Sequence, residues 1–169
     1  MGSDIQIKNK LSSKFIINSV IRIAVELFSK KIIVKSEKLK KILLFKNKSI
    51  VIPNGVDFKK YKPKDKNQSK RKLKLNPDFK YILFLGNKNN KNKNYQLVKS
   101  SFELIGRKNI RLLNYNYPID PLNVPKYINA ADVVVLSSFL EGSPNIVKES
   151  MACNTPVVSV DVGDVKNII

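Results

Sequence analysis

The chain has 169 residues, with 32 Lys and Arg against 13 Asp and Glu, no His and a single Cys. That length supports one core of ordinary size, a lone cysteine excludes an internal disulfide, and the counts exclude zinc sites built from Cys and His and any catalytic step that needs a histidine from this chain. The formal charge of +19 suits nucleic acid or an anionic membrane surface, although a composition rich in Lys, Asn and Ile together also arises from coding bias, and the lysines are spread along the chain rather than gathered in one block.

The opening MGSDIQIKNKLSSK is polar and lacks the apolar core of a secretory signal. The stretch Phe15 to Phe28 is too short and too charged to span a bilayer. Its polar residues Asn18, Arg22 and Glu26 recur every fourth position, which predicts an amphipathic helix from about Ser13 to Lys30. Core packing is the leading role for that helix, with a membrane surface or a partner as alternatives. A short strand at Ile32-Ile33-Val34, a helix from Glu37 to Leu44 and a strand Ser49 to Ile52 follow. Pro53-Asn54-Gly55 is a turn signal. Residues 58–67 read as a charged linker and Ser69 to Leu75 as a short basic helix.

Beyond Pro77 the pattern is cleaner. Tyr81 to Leu85 is a continuous apolar run stopped by Gly86, as a strand buried on both faces requires. A polar loop, Asn87 to Asn94, leads into a helix from Tyr95 to Gly106. A strand at Ile110 to Leu113, a helix at Pro125 to Ala130, a second buried strand at Val133 to Leu136, a helix from Pro144 to Cys153 and a strand from Pro156 to Val160 complete the alternation. Strands alternating with helices predict an α/β fold with a parallel, Rossmann-like sheet.

Ligands in such sheets bind beyond the carboxyl ends of the strands. Two such places stand out: Gly86 with its following loop, and Ser137 to Ser143. In the second, Ser143 is a good N-cap and Pro144 suits the first helical position. Gly142 lets a ligand approach the backbone, and the free amides and dipole of the helix end favour an anion such as a diphosphate. Glu149, further along the helix, can accept hydrogen bonds from the two hydroxyls of a ribose, and Glu141 lies where it can meet a sugar. Taken alone, the segment reads first as a plain capped helix with two surface glutamates. Among Lys88, Lys91 and Lys93 of the first loop, a lysine can neutralise a phosphate or simply be solvated.

Several motifs in order decide between these readings. Ile52-Pro53-Asn54-Gly55-Val56-Asp57, Leu85-Gly86 with Lys93-Asn94-Tyr95, Asn129-Ala130-Ala131-Asp132, Glu141 to Glu149 with seven residues between the glutamates, Cys153-Asn154-Thr155-Pro156-Val157-Val158 and Val162-Gly163-Asp164-Val165 together resemble the group 1 (family 4) retaining glycosyltransferases of the two-domain GT-B fold. The resemblance implies a donor site in which Lys93 holds the diphosphate beside Gly86. Gly142, Ser143, Pro144 and Asn145 present the helix start to phosphate or sugar, Glu149 binds the ribose, and Glu141, the implied catalytic residue, meets the sugar near the reacting carbon. Where the family commonly has an arginine directly after the glycine, this chain has Asn87, and Lys88 or Lys91 is the substitute at hand.

The same resemblance implies a nucleotide-sugar substrate, most often UDP- or GDP-linked, no cofactor and no metal. It implies a glycan or lipid-linked acceptor bound by a further N-terminal domain, and a cytoplasmic protein placed peripherally at the inner face of the membrane. Residues 1–49 are expected to be the last helix, strand and helix of that acceptor domain, and residues 50–169 a donor-binding domain lacking its final helices. A fragment of this kind is expected to transfer little sugar alone. The rival classes are a basic binding module for nucleic acid or anionic membrane, and an inactive remnant of such an enzyme. Phe84 and Phe102 lie in apolar element patterns rather than interleaved with lysines, which disfavours nucleic acid.

Overall fold

The computed structural model describes residues 19–21, 23–115 and 119–169. The chain divides into two compact units, Met1–Ile52 and Pro53–Ile169.

In the first unit, residues 19–21 and 23–28 are helical (α1), while residues 13–18 and Arg22 of the expected helix lie outside the described residues. Two short parallel strands, β1 (Ile32–Val34) and β2 (Ser49–Val51), pair Ile32 with Ser49 and Val34 with Val51. Between them α2 (Glu37–Lys41) starts at Ser36, whose hydroxyl accepts the Leu39 amide at 3.3 Å. α2 stops short of the expected Leu44 because the Leu44 and Phe45 amides donate to the Glu26 carboxylate, at 2.6 and 3.0 Å. The expected core packing of α1 is not what the described residues show. Glu26 is buried, whereas Val20, Ile21, Val25, Leu27 and Phe28 are exposed, Phe28 by 87%. A two-stranded sheet with one short helix offers too little opposing surface to cover them.

The second unit is a four-stranded, wholly parallel sheet in the order β4-β3-β5-β6, made of β3 (Lys80–Leu85), β4 (Ile110–Tyr115), β5 (Val133–Leu136) and β6 (Val157–Ser159). The apolar runs become the two central strands, and Leu83 and Val134, paired across them, are fully buried. The connecting helices are α4 (Tyr95–Ile105), α5 (Val124–Ala130) and α6 (Asn145–Ala152). Ile128 and Ala131 join Leu83, Val134 and Tyr61 in one cluster, and Val147 joins Leu136, Val162 and Val165 in a second.

The basic helix α3 (Lys66–Lys72) begins three residues earlier than the sequence suggests, because Asp65 rather than a later residue caps it, accepting the Gln68 amide at 2.6 Å. The Lys70 ammonium is buried and donates to the carbonyls of Pro77 and Phe79 at 3.1 and 2.7 Å, which locks α3 to the approach of β3.

From β3 the chain moves outward to β4 on one side, then returns past β3 to β5 and outward to β6 on the other. The carboxyl ends of β3 and β5 therefore flank the topological switch point, where a doubly wound sheet opens its crevice.

Candidate functional site

The loop after β3 starts at buried Gly86, where a Cβ would stand 3.1 Å from the Phe84 ring and 3.4 Å from Cγ of Lys93. A side chain here would press on the Phe84 ring and touch the lysine stem. Asn87, in the position of the family's arginine, folds the loop instead, its carboxamide oxygen accepting the Asn89 amide at 2.9 Å. Asn90 does the same for the Asn92 amide at 3.0 Å and starts a 3-10 turn, Lys91–Lys93. Asn94 then adopts a left-handed conformation, φ 48°, and opens α4. Lys88 is spent on the Tyr95 ring, 5.1 Å from its centroid, and Lys91 is exposed. Lys93 alone of the three turns toward the second loop.

That loop runs from Ser137 to Pro144. The Ser137 hydroxyl contacts the Lys93 carbonyl at 2.8 Å and that of Asn94 at 3.2 Å. The Phe139 amide donates to the Asn92 carbonyl at 2.8 Å. The side-chain amide of Asn92 pairs with the backbone of Leu140, accepting its N–H at 3.1 Å and donating to its carbonyl at 2.9 Å. The loops so joined bring the Lys93 ammonium to Oε1 of Glu141 at 2.7 Å. Two residues expected to serve the donor, 48 positions apart, form one ion pair.

Glu141 and Gly142 rest on Gly163, which has φ +61° and where a Cβ would stand 2.8 Å from the Gly142 carbonyl oxygen. The helix that follows, α6, begins at Asn145 with Pro144 as its N-cap. The expected cap by Ser143, with Pro144 as the first helical residue, is therefore corrected by one position. The reason is the fate of the Ser143 hydroxyl: it donates to Oδ2 of Asp164 at 2.7 Å, accepts from the Lys148 ammonium, and receives the Asn54 amide at 3.3 Å. One donor and two acceptor positions exhaust a hydroxyl. Lys148 also donates to the Asn54 carbonyl at 2.9 Å and to Oδ2 of Asp164 at 3.1 Å. The Asn54 side chain donates to the Ser143 carbonyl at 3.0 Å and to Oδ1 of Asn145 at 2.7 Å. No side chain caps the start of α6, and its Val147 amide turns back to the Pro144 carbonyl at 3.3 Å.

Glu149 lies one turn beyond Asn145 on the same helix face. Burial pushes its carboxyl above the usual range, offset in part by the Tyr61 hydroxyl, which donates to it, and by Lys60 nearby. The phenol of Tyr61 is pushed up in turn, first by burial and then by the Glu149 charge. The structure thus joins Gly86, Lys93 and Glu141 directly and strings Gly142, Ser143, Pro144 and Asn145 along the start of α6, while the Glu149 side chain turns to Tyr61. Sequence reasoning placed Ser137 at the start of the second loop but gave no role to Asn92, Lys148 or Asp164, whose bonds hold these loops in place. Among the described residues, no group of three His, Cys, Asp or Glu side chains is placed to hold a metal, and no helix is long and apolar enough to cross a membrane.

Residues 82–169, more than half of the chain, match the family described as "Glycosyl transferases group 1". The chain belongs to that family. It is 24% identical over 143 residues to D-inositol 3-phosphate glycosyltransferase 2 of Catenulispora acidiphila, covering 64% of this chain and 34% of that protein. It is 28% identical over 148 residues to D-inositol 3-phosphate glycosyltransferase of Pseudarthrobacter chlorophenolicus, covering 70% and 35%. A shorter match, 44% identical over 45 residues, covers 27% of this chain and 12% of the putative teichuronic acid biosynthesis glycosyltransferase TuaC of Bacillus subtilis. The chain spans about a third of the length of the D-inositol 3-phosphate glycosyltransferases it matches. Among solved structures, HepE of Anabaena in complex with UDP-glucose superposes with a TM-score of 0.64 at 17% identity, over 89% of this chain and 50% of that one. Sucrose-phosphate synthase of Thermosynechococcus elongatus gives 0.62 at 18% identity, over 88% and 45%. The fold of this group 1 chain is the Rossmann-like half of the GT-B architecture.

Proposed function

We propose that the crevice at the carboxyl ends of β3 and β5 holds a nucleotide-sugar, and that the protein transfers its sugar to a glycan or a lipid-linked acceptor. The observation that carries this reading is the Lys93–Glu141 pair of 2.7 Å, set at the switch point beside the start of α6. A diphosphate brings negative charge that the helix amides and the Lys93 ammonium together neutralise. Glu149 accepts the ribose hydroxyls. Glu141, anchored by Lys93, stands beside the sugar as the bond from its anomeric carbon to the phosphate oxygen breaks and the acceptor oxygen bonds to that carbon, its proton passing to the departing diphosphate. In this reading the positive charge at the leaving diphosphate comes from the protein, with no cofactor and no metal called upon. A UDP- or GDP-linked donor fits this chemistry; HepE, of the same fold, is a UDP-glucose complex. The net charge of +19 supports a cytoplasmic protein held peripherally at an anionic membrane, where a lipid-linked acceptor would sit.

The test is calorimetric titration of the chain with UDP, GDP and ADP. One of them is expected to bind, and Lys93→Met to weaken it about ten- to a hundredfold, the worth of a charge-assisted contact. Wild-type protein that binds none of the three, yet binds DNA in a salt-sensitive way, would overturn the proposal.

A further inference from the structure

The ammonium of Lys93 sits at the end of a flexible four-carbon stem, so where it rests depends on how firmly its backbone is held. Three hydrogen bonds hold it from the residue before. The Asn92 carbonyl takes the Phe139 amide at 2.8 Å, and its side chain both accepts from and donates to Leu140, at 3.1 and 2.9 Å. A carboxamide is the side chain that can do this, because it carries a donor and an acceptor side by side and so imitates the edge of a strand. The residue immediately before Lys93 is thereby paired with the two residues immediately before Glu141. On the other side the Ser137 hydroxyl reaches the Lys93 and Asn94 carbonyls, so the lysine is gripped from both directions. These bonds, with the Ser137 contacts and the Lys93–Glu141 ion pair, tie the two loops together.

We infer that Asn92 is a positioning residue: it fixes Lys93 against Glu141 before the donor arrives and thereby sets the affinity of the site for the diphosphate. This rests on the donor-site reading above. A contact whose geometry is fixed in advance spends less of its binding energy on ordering. Loss of Asn92 therefore acts on the part of the ligand that Lys93 meets, not on the nucleoside.

Asn92→Ala removes both side-chain bonds to Leu140. Asn92→Asp keeps the shape but sets a carboxylate against the Leu140 carbonyl. Each variant, as the full chain, is titrated with the nucleoside diphosphate that the wild type binds and with the corresponding nucleoside, and its thermal midpoint is recorded. Both variants are expected to bind the diphosphate about tenfold more weakly and the nucleoside as wild type does. In a Lys93→Met background, adding Asn92→Ala is expected to cost nothing further, because the residue through which Asn92 acts has gone. Diphosphate binding at wild-type strength in both variants overturns the inference, as do equal losses for nucleoside and diphosphate, or effects that add to those of Lys93→Met. Wild-type protein that binds no nucleoside diphosphate removes the donor site itself, and that result is read before any variant is made.

Discussion

The two ends of β5 carry the same chemical pair and use it differently. At the amino end Asp132 accepts the Tyr81 amide at 2.9 Å and faces Lys66 at 2.9 Å, Lys80 at 3.5 Å and Lys70 at 3.7 Å. Lys70, 2% exposed, also donates to two carbonyls and lies 5.3 Å from the Tyr81 ring centroid. Lys70 is turned inward and finds all its partners within the protein, while Lys66 and Lys80 close the outer side of the cluster with side chains 43% and 62% exposed. At the carboxyl end Lys93 and Glu141 pair at 2.7 Å with side chains 31% and 19% exposed, beside a helix start that no side chain caps. A lysine and a carboxylate make a strut when the fold supplies all their partners, and the proposed site is the place where it leaves room for one more.

The sharpest way to break that comparison is Asp132→Ala. Removing the acid leaves the Lys70 ammonium buried with carbonyls alone, and a loss of about 3 kcal/mol of stability is expected, read from denaturant midpoints, with nucleotide affinity of the folded protein unchanged. The acid dependence follows. Burial pushes the Asp132 carboxyl up, but the Tyr81 amide and the Lys66 and Lys70 ammoniums outweigh it and hold the group below its ordinary range. Its stabilisation is therefore intact above about pH 4, the unfolded value, and fades as pH falls through the lower folded one; Asp132→Ala should flatten that part of the stability profile.

Gly163→Ala comes next. Its φ of +61° and the 2.8 Å approach to the Gly142 carbonyl predict a cost of about 1–2 kcal/mol and, unlike Asp132→Ala, a several-fold loss of nucleoside diphosphate affinity by calorimetry, because the Glu141–Gly142 backbone must shift. The smallest effect on the fold is expected from Glu149→Gln. Burial raises the Glu149 carboxyl, so the folded state holds its proton more tightly than the unfolded state does. That contribution is fully present below the unfolded pKa and disappears as pH rises through the folded one, the reverse of Asp132. At neutral pH the thermal midpoint of Glu149→Gln should be equal or slightly higher, while nucleotide binding weakens. A clear drop in midpoint would assign Glu149 to the strut class instead.

The strands at the centre of the sheet were legible because Tyr81–Leu85 and Val133–Leu136 are unbroken apolar runs closed by Gly86 and by Ser137-Ser138. Burial on both faces leaves that signature wherever it occurs. The resemblance to ordered motifs pointed to Lys93, Glu141 and the start of α6, which lie in the loops that follow β3 and β5. What supports them was not legible. Asn92 lies in a run of Asn and Lys, Asn87 to Asn94, in which every carboxamide looks alike until the fold sets one against Leu140. Lys148 reads as a solvated helix lysine, and nothing local says that Asp164, sixteen residues on, completes it. Ser143 resembles an N-cap by position, yet its hydroxyl is claimed by partners distant in sequence. The start of α3 was not legible because its cap, Asp65, lies within a charged stretch that reads as linker. Local pattern reports what a residue can do, and long-range partners decide what it does.

The Lys148–Asp164 pair, 3.1 Å apart with side chains 14% and 6% exposed, has a consequence for inheritance. Replacing either partner alone strands a buried charge beneath the loop that carries Glu141, at a cost of about 3–5 kcal/mol, whereas replacing both by apolar residues of matching volume need cost little. Descendants of this sequence should therefore keep both charges or lose both, and intermediates holding only one should be rare. Two positions on different elements evolve as one character.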